Sequence, residues 1–330
     1  MRQILSFLFI AELTLVAGVP APKPGAPVTL PARWSENRFF VQPRTPGGET
    51  LLLYTDTGGG LVLFEPAVKR LGLAVGSGNP PTVRLPSFDP AAWIPDPQDD
   101  GGRLAVLAPP PATMPGSSMG DGQLGQGWFA GRCWTFDYPG HRLLLRAAGD
   151  LPPVAAGHRV VLGFQTGKTG QRELNFPRIQ AKVDGEGLDL LFDTGANTTL
   201  QPRALQAISD GHPAERATSF ITATIFGRWH QRHPDWRVIP DAESFTGAPM
   251  IEVPAVEVGG YTVGPVWFTQ RPDKAFHEFM SQWMDHRVEG ALGGSALGYF
   301  RVTLDYPSAT AAFELAAEEK PAGPARSSTH

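Results

Sequence analysis

Sliding the chain 137 positions along itself lays Asp56, Thr57 and Gly58 on Asp193, Thr194 and Gly195. A single Asp-Thr-Gly tripeptide is weak evidence, since composition alone produces one in roughly one chain of this length in fifteen. The match extends upstream, however: Phe39 meets Phe176, Gly48 meets Gly185, Glu49 meets Glu186, Leu51 meets Leu188 and Leu53 meets Leu190. Each copy reads as a hairpin leading into the tripeptide. FFVQPRT turns at PGGE into TLLLYTD, and FPRIQAKV turns at DGEG into LDLLFD, with glycine supplying the turn conformations. A chain built this way contains two related halves.

A second register, offset by 168, aligns DGQLGQGWFAGRCWTFDYP (121 to 139) with EGALGGSALGYFRVTLDYP (289 to 307). Leu124-Gly125 falls on Leu292-Gly293, and Asp137-Tyr138-Pro139 on Asp305-Tyr306-Pro307. The offsets differ by 31, so the second half carries about that much extra chain, which this reading places mostly in 212 to 250. Proline-led helix starts, EPAVKRLGL and QPRALQAISDG, follow the two tripeptides. Two proline-rich passages divide the rest. The predicted organisation is a signal segment 1–18, a proline-rich leader 19–32, a first lobe 33–148, a linker 149–158, a second lobe 159–316 and a tail 317–330.

Arg2, the apolar run Ile4 to Ala11 and small residues at Ala17 and Gly18 read as a secretory signal peptide, the alternative being a buried N-terminal strand or helix. The expectation is an exported, periplasmic or secreted protein. No other stretch is long and apolar enough for a membrane span. The net charge of −4 and the absence of any Lys/Arg-rich run exclude a nucleic-acid partner. Cys133 is the only cysteine, so no internal disulfide can form.

Near-two-fold docking of duplicated hairpins brings their two loops together on the axis. Two carboxylates at that separation cannot both ionise, so they share a proton and titrate as a coupled pair. The ionised member can activate a water while the protonated member polarises a carbonyl. Glycine lets each loop turn sharply and approach its partner, and each threonine hydroxyl can bond across the axis.

On these motifs, Asp56-Thr57-Gly58 with Asp193-Thr194-Gly195, each after an apolar strand and before a hydrophobic-Gly segment, the sequence resembles the aspartic peptidases of the pepsin and retropepsin superfamily over residues 35 to 316. FDTGANTTL and EPAVKRLGL look most like the bacterial retropepsin type. The resemblance implies an all-β, bilobal fold of two homologous β-barrel-like lobes with a few short helices. It also implies Asp56 and Asp193 as catalytic residues, with Thr57, Gly58, Thr194 and Gly195 supporting their loops. The implied substrate is a polypeptide, with no metal and no organic cofactor, and a monomer suffices because one chain holds both halves.

Three departures from the pepsin pattern stand out. Gly59 and Ala196 take the places of the usual hydroxyl residues after each tripeptide, which implies a less acidic optimum than that of pepsins. Gly59-Gly60 loosens the first loop. No motif fixes a substrate-covering flap; TVRLPSF with GRLAVLAP is the candidate hairpin, with Trp93 near its tip. FHEFMSQWMDHRVEG (276 to 290) has helical apolar spacing and is predicted as an amphipathic helix. His230 and His233 read as a solvated loop rather than a metal site, and Asp137 and Asp305 as strand-end turns. Two functions remain: an aspartic endopeptidase, or a catalytically weak or inactive protease-like protein that binds peptides or proteins.

Overall fold

The computed structural model describes residues 26–111 and 120–315. The expected signal segment and the 317–330 tail lie outside the described residues.

The chain is mostly β with a few short helices. Its first half runs β1 (Val28–Thr29), β2 (Ala32–Ser35), β3 (Arg38–Val41), β4 (Leu53–Thr55), β5 (Val62–Phe64) and α1 (Glu65–Arg70). It continues through β6 (Thr82–Arg84), β7 (Arg103–Leu107), β8 (Gly122–Leu124), α2 (Gln126–Phe129), β9 (Cys133–Asp137) and β10 (Arg142–Arg146). The second half begins with β11 (Arg159–Val161), β12 (Arg178–Val183), β13 (Glu186–Phe192), β14 (Asn197–Thr199), α3 (Pro202–Ile208) and β15 (Glu215–Ala217). After β16 (Ser219–Thr222) and α4 (Ala223–Arg232) come β17 (Val238–Ile239), β18 (Met250–Val253), β19 (Val256–Val258), β20 (Tyr261–Val263) and β21 (Val266–Arg271). β22 (Gly290–Leu292), α5 (Gly294–Leu297), β23 (Phe300–Asp305) and β24 (Thr310–Leu315) complete it.

The duplication reappears as hydrogen-bonded order. The first half's sheet contains the run β3-β4-β8-β5-β7-β6, and the second half's contains β12-β13-β22-β16-β21-β18, strand for strand the same arrangement. In both, the strand entering Asp-Thr-Gly pairs parallel with the strand carrying the Leu-Gly motif, β4 with β8 and β13 with β22. Local chemistry sets the turns. Asp184 and Gly185, at φ 53° and 76°, make the tight link between β12 and β13 that the right-handed strand twist favours. In the first half the corresponding turn closes with Thr45 N–H on Glu49 O at 2.8 Å, and Gly48 takes φ 84°.

A third sheet joins the halves. Its order, β1-β10-β9-β23-β24-β11, reads as a palindrome of equivalent strands. At its centre Thr135 pairs with Thr303, and their hydroxyls meet at 2.7 Å. These are residues matched at the 168 offset, so the pseudo-two-fold axis passes between them. Val28 and Thr29, within the expected leader, form β1 and pair with Leu145 and Leu144. Asp137 and Asp305 close the turns after β9 and β23, accepting from Gly140 N–H and Ser308 N–H.

Four expectations need correction. No sheet among the described residues closes into a barrel: β2 and β6 bound one and β17 and β20 the other, and no ladder joins these edge strands to each other. The extra chain of the second half lies mainly before residue 219. β5 and β16 hold the same place, antiparallel to the Leu-Gly strand, and this puts Val62 on Phe220, so the offset has already risen from 137 to 158 there. The excursion is the β14-α3-β15 hairpin, and α1 is therefore equivalent to α4, not to α3. The 276–290 stretch winds only from Ala275 to Trp283. Its apolar residues Phe276, Met280, Met284 and Val288 still bury together in a side cluster. His230 lies on α4 and His233 caps its end, where Asp184 accepts at 2.9 Å. No helix among the described residues is long and apolar enough to cross a membrane.

Candidate active site

β4 and β13 deliver Asp56 and Asp193 at their C-terminal ends, and the strand behind each fixes its backbone. Asp56 N–H donates to Leu124 O and Asp193 N–H to Leu292 O, both at 3.0 Å. The glycines of these Leu-Gly pairs are sterically required. A methyl built on Gly125 would lie 2.1 Å from Gly59 O, and one on Gly293 would lie 2.0 Å from Thr218 O.

The threonines cross the axis in reciprocal fashion. Thr57 Oγ1 donates to Phe192 O at 2.6 Å and accepts from Thr194 N–H at 3.0 Å. Thr194 Oγ1 donates to Thr55 O at 3.2 Å and accepts from Thr57 N–H at 3.1 Å. Each hydroxyl thus satisfies two backbone groups, both on the opposing loop, in a fully buried setting.

That lock brings the carboxyls face to face. Gly58 N–H donates to Asp56 Oδ1 and Gly195 N–H to Asp193 Oδ1, each at 2.8 Å, and the two carboxyl groups hydrogen-bond to one another. Each glycine also makes room for the opposing aspartate. A methyl on Gly58 would sit 2.7 Å from Asp193 Cγ, and one on Gly195 would sit 2.1 Å from Asp56 Cγ. Asp56, Thr57, Gly58, Asp193, Thr194 and Gly195 therefore form one cluster.

Electrostatics follow from the crowding. Asp56 keeps part of its surface open, yet the atoms around its carboxyl desolvate it and Asp193 adds like charge, so its pKa rises well above the usual carboxylate range. Asp193 is also raised by desolvation, while the hydrogen bonds from Asp56 and the backbone of Gly195 and Ala196 pull it back. The pair holds one proton over an extended pH range and can act as acid and base at once.

Three polar residues that the repeat did not single out complete the surroundings. Tyr54 hydroxyl donates to Gly195 O at 2.8 Å, and Asn197 Nδ2 donates to the same oxygen at 3.1 Å. Gln123 Nε2 donates to Gly60 O at 3.3 Å. The signal was present as asymmetry: Tyr54 aligns with Leu191 at the 137 offset, and Gln123 with Ala291 at 168. Because Asn197 still serves Gly195 O, Tyr54→Phe is expected to cost only about 1 kcal/mol. Urea midpoints of the two proteins check this, and a loss several times larger would show that the hydroxyl carries more than the one bond.

The candidate covering hairpin forms as β6 and β7, antiparallel with Arg84 opposite Arg103. Its connection is tied to the body of the first half. Phe88 and Ile94 are buried, Trp128 Nε1 donates to Pro95 O at 2.8 Å, and Phe88 N–H donates to Asp96 at 2.6 Å. Trp93, at φ 58°, is its exposed aromatic residue.

No family model and no curated protein matches the chain. Among solved structures it is similar to an aspartic proteinase from Irpex lacteus, with 10% identity and a TM-score of 0.43 over 88% of this chain and 97% of that one.

Proposed function

We propose that the protein is an aspartic endopeptidase that binds an extended polypeptide and hydrolyses an internal peptide bond between Asp56 and Asp193. The observation supporting it is the facing carboxyl pair, held by cross-bonded loops of the same sequence, with both carboxyl pKa values raised by burial. The ionised carboxyl takes a proton from water as its oxygen attacks the scissile carbonyl carbon, and the protonated carboxyl gives its proton to the carbonyl oxygen. The resulting diol collapses as the now-ionised carboxyl takes a proton from one of its hydroxyls and the now-protonated carboxyl gives one to the amine nitrogen, so that the C–N bond breaks and the dyad again holds one proton. Substrate bound as an added β-strand would present its carbonyl to the pair. One chain supplies both loops, so the proposed active unit is a monomer, and residues 1–18 are proposed to direct export.

The test is incubation of the purified chain with a mixed peptide library in ¹⁸O-water from pH 3 to 7, with products read by mass spectrometry. Internal cleavage with one heavy oxygen per new carboxyl terminus is expected. An absence of products at every pH would sink the peptidase reading and leave a peptide-binding protein, whose ligands would be sought by retention on the immobilised chain. N-terminal sequencing of the exported protein checks the role of 1–18, and an uncleaved Met1 terminus would count against it.

A further inference from the structure

The first loop has no side chain at position 59, yet the space beside Asp56 is filled. A methyl built on Gly59 would lie 1.9 Å from Gln123 Nε2 and 2.4 Å from Asp56 Oδ2. The amide nitrogen and the carboxylate oxygen thus face the same point. Oδ2 is the outer oxygen, since Oδ1 already accepts from Gly58 N–H. Gln123 sits on β8 opposite Tyr54 and Val62, almost wholly buried, so its side chain is confined between the two strands that frame the loop. The carbonyl of Gly60 can only accept, and it therefore orients the amide with Nε2 toward the loop. One N–H serves Gly60, and the other remains to be given.

The second loop lacks any such group. Ala291 replaces Gln123, Ala196 replaces Gly59, and a methyl on Gly293 would come within 2.6 Å of Ala196 Cβ. At the two positions that carry Gly59 and Gln123 beside Asp56, the second half has only methyl side chains. The two carboxyls, chemically identical, are flanked unequally.

We propose that Gln123 is a positioning residue of the dyad, its carboxamide standing where a hydroxyl side chain at position 59 would stand and donating to the outer oxygen of Asp56 when that carboxyl is ionised. Only the kinetic arm of its test rests on the peptidase reading. The other groups facing Asp56 are Asp193, Tyr54 and Tyr306; both phenols are buried and held neutral by pKa values raised above the usual range, so only Asp193 titrates with it. A donor to the ionised carboxylate lowers the first of the pair's two titrations, so removing it raises that titration.

The experiment is a ¹³C-carboxyl NMR titration of the full chain labelled at Asp, with Asp56→Asn used for assignment, in wild type and in Gln123→Met, which keeps length and volume. The lower titration of the pair is expected to rise by about 0.5–1 pH unit. Where hydrolysis is seen, the acidic limb of kcat should move by the same amount, a loss of up to about tenfold below the limb, with KM unchanged. Gly59→Ser combined with Gln123→Ala supplies a hydroxyl at the vacated point and should return the titration to its wild-type value. A titration unmoved in Gln123→Met, or not returned in the double variant, overturns the proposal. Both readings come from the carboxyl signals, so a chain without hydrolytic activity refutes the peptidase reading without touching this one.

Discussion

Replacing Asp56 by Asn is expected to abolish hydrolysis, by about 10³-fold or more, while making the protein more stable at neutral pH. The two effects share one cause. Burial and the facing Asp193 push the Asp56 carboxyl well above its ordinary range, and Asp193 is raised as well. A carboxyl whose folded-state pKa exceeds its unfolded value contributes its full stability below about pH 4, and that stability is lost as pH rises through the folded pKa. Each pH unit over which only the folded chain holds the proton costs about 1.4 kcal/mol. Asn carries no charge, so the variant escapes this loss and also relieves Asp193. Urea midpoints at pH 3.5 and pH 7 for both proteins check it: the gap should be near zero at the lower pH and favour Asn at the higher. Midpoints that move in parallel would show that folding does not raise the Asp56 pKa, and retained cleavage would remove Asp56 from the chemistry.

The largest loss of stability is expected at the cross-axis threonines. Thr57→Val keeps the shape of the side chain and removes the hydroxyl that serves Phe192 O and Thr194 N–H. Two buried backbone groups on the opposing loop then lose their partner, each at about 1–3 kcal/mol, so a total of about 2–6 kcal/mol is anticipated. Thr57→Ser retains the hydroxyl and should keep most of that stability. A Val variant as stable as the wild type beside a destabilised Ser variant would mean that the methyl packing, not the bonding across the axis, matters. Because the lock also sets the distance between the carboxyls, the Val variant should lose activity even under conditions where it remains folded.

Much of this arrangement is legible in the sequence because it is written twice. The Asp-Thr-Gly pair, the apolar strands before it and the Leu-Gly segments behind it are local patterns repeated at fixed offsets, and local patterns survive translation into structure. What was misread depends on pairing between distant residues. The proline-led runs at Glu65 and Gln201 look alike, yet α1 follows the inner strand β5, whereas α3 sits inside an added hairpin. Only the ladder of β16 against β22 reveals this. Tyr54 and Gln123 escaped for the opposite reason. A search for sameness passes over positions where the copies differ, and the polar groups nearest the carboxyls are such positions.

The palindromic sheet makes those differences permissible. Two separate copies of one half, meeting at Thr135 and its own duplicate, would be bound to present the same residue on both sides of the axis. Covalent fusion through residues 147–158 removes that obligation while the β9–β23 seam keeps the geometry. One side can then acquire a carboxamide and the other methyl groups, so that two identical acids become distinguishable. In that sense the central sheet is what allows the dyad to have a left and a right.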